Sequence, residues 1–132
     1  MSTDDERYAE GMRIRREVLG HDHVDGAQAA ADDFTRDFQE FITRYAWGTV
    51  WAREGIGRRE RSLITLALLA GLGRDTELPL HVRGALNNGV TRDEIKEVLL
   101  HTAVYAGVPT ANTAFAVARE AFRDIGEAPT SG

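Results

Sequence analysis

"RSLITLALLAGLGRDTELPLHVRGALNNGVTRDEIKEVLLH", residues 61–101, carries the signals that decide the fold class. Its first part is apolar nearly all round, as a helix enclosed by other helices has to be, and predicts a central buried helix from about Arg58 to Ala70. "GLGRD" turns the chain. Asp75 or Thr76 can then cap a helix that ends at Asn88, with Gly89 as a left-handed stop. Pro79 falls in its first turn, where a missing N–H costs little. Thr91 and Glu94 of "TRDE" form a capping box. The helix behind them turns Ile95, Val98, Leu99 and Thr102 inward and stops near Gly107. No stretch alternates apolar and polar residues as a half-buried strand does, so the fold class is all-α.

The same signals extend in both directions. "VPTANTAFAVAREAFRDIG" opens a last helix with Pro109 in its first turn. Ala111, Ala114, Phe115, Ala118, Phe122 and Ile125 make its inner stripe, whose small residues let a neighbouring helix come close. Upstream, a first helix is expected over Asp4–Leu19, ending at Gly20. "HDHVDG" (21–26) reads as a loop, and a long helix follows over roughly Gln28–Ala52. Phe34, Phe38, Phe41, Ile42 and Tyr45 form the apolar side of that long helix. Trp47 and Trp51 fit either a core or an interface. The expectation is six helices in one domain over residues 1–126, with a frayed tail at 127–132.

Composition narrows the function. One domain fits 132 residues, and 42% hydrophobic with 28% charged residues describes a globular chain, not a disordered one. A net charge of −5 argues against a nucleic-acid partner. With no cysteine there is no thiolate nucleophile, disulfide or ordinary structural zinc site. The first twenty residues lack an apolar signal segment, and the run from Leu63 is too short to cross a bilayer, so a cytoplasmic protein without membrane contact is expected. Lys96 is the single lysine, leaving one candidate for Schiff-base chemistry. The other basic residues are arginines, whose forks hold carboxylates at two points.

Four groups of residues can carry chemistry. Glu77 and His81 stand four apart on one helix, where a carboxylate can orient an imidazole and favour its protonated form. The same spacing suits a helix-start glutamate beside a surface histidine. Glu97, His101 and Tyr105 make a second polar row, either a solvated edge or a working one. "RRERS" gathers Arg58, Arg59 and Arg61 at a helix start, where the dipole disfavours cations; it reads as a solvated turn or as an anion site. His21 and His23 of "HDH" are a weak metal signal, and no metal is expected.

Four strings, "RREVLGHDHVD" (15–25), "WGTVWAREGIGRRERSLITLALLAGLGR" (47–74), "ELPLHVRGALNNGVTRDEIKEVLLH" (77–101) and "VYAGVPTANTAF" (104–115), resemble the carboxymuconolactone decarboxylase family in order and spacing. The peroxidase-like members of the wider superfamily carry C-x-x-C ahead of a histidine, and those cysteines would fall at Arg74 and Glu77. Thiol redox chemistry is therefore absent here. The resemblance implies a helical homo-oligomer, often a hexamer built from dimers. It also implies cofactor-free loss of CO2 from 4-carboxymuconolactone to give the enol-lactone of 3-oxoadipate, a step in protocatechuate breakdown. On that basis Arg58 and Arg61 would hold the dianionic lactone, and His81, oriented by Glu77, would deliver the proton. His101 or Tyr105 would supply an oxyanion donor, and Trp47 and Trp51 would wall the pocket. The alternatives are a related enzyme acting on another small lactone or keto acid, and a ligand-binding oligomer without turnover.

Overall fold

The computed structural model describes residues 3–126, which contain helices and turns and no strand. The expected tail at 127–132 lies outside the described residues. The chain forms two compact units, one through Arg58 and one from Arg59 onward.

The first unit begins with α1, Asp4–Leu19, as the sequence predicts. Thr3 Oγ1 accepts the Glu6 N–H at 3.1 Å, and Asp4, Asp5 and Glu6 place negative charge at the positive end of the helix. Gly20, at φ 93°, turns the chain. The expected loop at 21–26 is instead the start of a second helix, α2, His21–Ala30. Its Val24 is wholly buried, and Asp25 pairs with Arg16 at 2.8 Å, so packing and charge hold this polar segment helical.

The long helix expected over Gln28–Ala52 is divided. The Asp32 carboxylate accepts the N–H groups of Phe34 and Thr35, each at 3.0 Å, and this side-chain turn replaces a helical one. α3, Arg36–Phe41, then runs directly into a π-helix over Ile42–Val50. The wider turn brings Trp47 and Trp51 into a stack, with ring centroids 4.8 Å apart at 25°. Thr43 and Gly48 face α1, and Thr43 and Trp47 are buried. Phe34, Phe38, Phe41 and Tyr45 are exposed, Phe34 at 93%, so the expected apolar stripe is not a core face of this unit.

The second unit holds α4 (Arg58–Gly71, whose first residue closes the preceding unit), α5 (Leu78–Asn87), α6 (Arg92–Ala106) and α7 (Val108–Ile125). Gly89, at φ 86°, ends α5 as expected, and Thr91 and Glu94 form both bonds of the capping box. Leu66, Leu78, Val82, Ile95 and Leu99 pack with the Ala114, Ala118 and Phe122 stripe of α7 into one core. The expectation of a helix buried all round fails for α4. It buries Ser62, Leu66 and Ala70, but Ile64 and Leu68, and Leu72 just past its end, are at least half exposed. No helix of the described residues is long and apolar enough to cross a membrane.

Candidate active site

α5 carries the expected acid–base pair. Glu77 is its N-cap and is exposed, with no side-chain capping bond; His81 lies one turn on and is half-buried. The His81 N–H bonds the Glu77 carbonyl at 3.3 Å, which fixes both residues on one helical turn. Asn88 sits two turns beyond His81 and so shares its face. Its side-chain amide donates to the buried Ser62 hydroxyl at 2.9 Å, tying the end of α5 to the start of α4.

The arginines at that start have separate surroundings. Arg58 pairs with Glu17 at 2.6 Å, and this hydrogen bond is the main reason the Glu17 carboxyl is held below its ordinary value. Arg59 pairs with Glu94. Arg61 is half-buried, and no carboxylate of the described residues pairs with it. Its Nε is buried without a hydrogen-bond partner, a costly state for a charged donor unless an acceptor arrives.

His101 and Tyr105 do come together, their rings 5.0 Å apart at 35°. Both are exposed and line an apolar groove of about 730 Å³ between α4 and α6, with Glu97 at its edge. Trp51 and Arg58 line a smaller cavity of about 300 Å³ in the first unit, together with Glu10 and Arg13. Neither the groove nor this cavity includes Glu77, His81 or Arg61. Glu77 and His81 thus share a turn of α5, Glu97, His101 and Tyr105 line the α4–α6 groove, Trp51 and Arg58 line the cavity of the first unit, and Arg61 lines neither the groove nor that cavity.

Nothing in the spacing singles out Arg15, which the fold buries to 4% exposure. Its guanidinium reaches Gln39 Oε1 at 3.2 Å and Thr43 Oγ1 at 3.4 Å, and burial lowers its pKa. A signal was present in retrospect, since Arg15 stands one residue from Ile14 and three from Val18 on the inner face of α1. Among the described residues no three His, Cys, Asp or Glu side chains converge as metal ligands do, the "HDH" histidines included.

Comparison with known proteins bears on this arrangement. The profile described as "Carboxymuconolactone decarboxylase family" matches residues 36–120. A protein of Acinetobacter baylyi named 4-carboxymuconolactone decarboxylase is 51% identical over 96% of this chain and 94% of its own length. A Metarhizium robertsii protein named nitrosuccinic acid decarboxylase is 48% identical over 89% of this chain and 82% of its own. A shorter Pseudomonas putida sequence, named as the first is, matches 33% of this chain and 90% of itself at 51% identity.

Proposed function

The chain belongs to the carboxymuconolactone decarboxylase family, and from that premise we propose that it decarboxylates 4-carboxymuconolactone to the enol-lactone of 3-oxoadipate, a lyase step in protocatechuate breakdown. The observation that carries this reading is the 51% identity to a protein of that name along almost the whole chain.

The chemistry fits the residues present. The departing carboxylate sits on a ring carbon next to a double bond conjugated with the lactone carbonyl. As the C–C bond breaks, its electron pair flows into that system as a dienolate, and a proton then adds at the carbon alpha to the carbonyl. The substrate supplies its own electron sink. The relative named for nitrosuccinic acid supports this logic, because a nitro group beside a departing carboxylate accepts an electron pair in the same way. What remains for the protein is to hold a dianion, steady the developing oxyanion and deliver one proton.

Arg61, half-buried and without a carboxylate partner among the described residues, is the first candidate for the anion clamp, with Arg58 as its companion. His81 is the proton donor and Glu77 the residue that orients it. His101 or Tyr105 donates to the oxyanion, an effect worth about 3–4 kcal/mol per donor in comparable sites. Trp47 and Trp51 exclude water. The exposed rows Ile64, Leu68, Leu72 and Leu100, Val104, Val108 support a homo-oligomer, since so much apolar surface on one unit is what an interface leaves bare in a single copy. A hexamer built from dimers is the form we expect, in the cytoplasm, and light scattering on the purified protein measures it.

The test is turnover. Purified protein mixed with freshly generated 4-carboxymuconolactone should release CO2 and enol-lactone, with nitrosuccinate run in parallel. Faster turnover of nitrosuccinate would transfer the assignment to the second substrate, which the Metarhizium relative favours. Binding of either without CO2 would replace the enzyme by a ligand-binding protein.

A further inference from the structure

A cleft of about 540 Å³ opens between α6 and α7, lined by none of the residues assigned to the reaction. Its floor is apolar, with Leu99, Phe115 and Phe122, and its rim carries three cations, Arg92, Lys96 and Arg119, with the Asn112 amide. Among the described residues one carboxylate lines it, Asp93, which lies 4.0 Å from Lys96. Among the described residues no carboxylate pairs with Arg92 or Arg119, although the chain as a whole carries a net charge of −5. Arg92 also occupies the first turn of α6, where the helix dipole adds positive potential instead of relieving it.

Arg92 is built into the wall. Its guanidinium lies over the Phe122 ring, 4.9 Å from the centroid, which holds it against the wall. Its buried Nη1 has no hydrogen-bond partner among the described residues. A desolvated, charged donor without an acceptor is unfavourable in the folded chain, and a carboxylate oxygen seated against the fork would supply what is missing. Cations above an apolar floor select a ligand with an anionic edge and a flat or aliphatic body. Inorganic ions have no use for the floor.

We propose that the α6–α7 cleft is a second binding site, separate from the decarboxylation site, for a small organic carboxylate. The probe is isophthalate, titrated into the full-length protein by calorimetry at fixed ionic strength, with sulfate as the comparison. Isophthalate should bind, and sulfate should bind roughly tenfold more weakly because it buries no apolar surface. Arg92→Gln and Arg119→Gln should each weaken isophthalate roughly tenfold, the expected loss of one charge-assisted contact. His81→Ala should leave the affinity unchanged. Arg119 is exposed, so its variant folds even if the Arg92 variant does not. No binding, equal binding of sulfate, or affinity untouched in Arg119→Gln would each overturn the proposal. So would a loss of affinity in His81→Ala, which would place the probe in the reaction site.

Discussion

The crossing of α1 with the π-helix makes a sharp quantitative prediction. Two glycines let the backbones touch: a Cβ on Gly11 would stand 1.9 Å from the Thr43 carbonyl oxygen and 2.8 Å from the Gly48 nitrogen, and one on Gly48 would stand 2.2 Å from the Arg7 carbonyl oxygen. Cβ atoms essentially never approach other heavy atoms within 3.0 Å, so Gly11→Ala requires the backbones to part by more than about 1 Å (3.0 − 1.9 Å), because the obstacle is a carbonyl and not a flexible side chain. Overpacking of this kind costs about 3 kcal/mol or more. Alanine's better helix propensity returns about 1 kcal/mol, leaving a net loss of about 2 kcal/mol or more. Gly26 in α2 provides the control, since its added Cβ would meet nothing within 4 Å. There the same substitution should stabilise by roughly 0.5–1 kcal/mol. Urea unfolding at one protein concentration, followed by circular dichroism, reads both. The reasoning is refuted if Gly11→Ala is as stable as the parent, or if the two variants shift in the same direction.

Three further outcomes test the site and its surroundings. His81→Ala should reduce turnover roughly 10²- to 10⁴-fold, the range expected for a lost general acid, with the oligomer intact by light scattering; activity within a few fold of the parent removes His81 from the mechanism. Arg61→Lys should raise KM more than it lowers kcat, because lysine has neither the fork nor an Nε to meet a carboxylate; an unchanged KM clears Arg61 of the clamp role. Glu17 is held below its ordinary 4.5 chiefly by the Arg58 hydrogen bond, so its stabilising contribution is present above that value and fades as pH falls through the lowered one. Glu17→Gln should therefore cost stability at pH 7 and match the parent once both are below the lowered value; a gap of equal size at pH 7 and in strong acid would trace the effect to something else.

The second unit was legible because its signals are local. Thr91 and Glu94 fix the start of α6 within four residues, Gly89 ends α5, and the alanine stripe of α7 meets the core as its period requires. The first unit was less so. Helix period alone cannot show that the Asp32 carboxylate captures two backbone N–H groups and interrupts the long helix, or that the chain from Ile42 widens to a π-helix. The buried side there is chosen by a backbone crossing at Gly11 and Gly48, two residues that contribute nothing to a hydrophobic stripe. Hence the phenylalanines at 34, 38 and 41 read as inward and stand outward. For the site, spacing correctly put Glu77 with His81 and His101 with Tyr105 on shared turns. It could not join those turns to each other, since that depends on tertiary packing and, on the proposed reading, on further copies of the chain.

The separate surroundings of Arg58 and Arg61 matter for the proposed chemistry. In a decarboxylation one carboxylate loses its charge as the bond breaks, while the other keeps it throughout. A guanidinium on the departing group stabilises the reactant more than the transition state and slows the step; the same guanidinium on the retained carboxylate binds both equally and does no harm. An effective site therefore places its free cation on the carboxylate that stays. Arg58 is already balanced by Glu17, whereas Arg61 has no carboxylate partner among the described residues and keeps a buried donor unmet. On the proposed reading, that asymmetry favours Arg61 for the retained group and leaves the departing one to a less charged wall. The same division suits nitrosuccinate, which also keeps one carboxylate, so discrimination between the two substrates has to come from the shape of the remaining wall and not from the clamp.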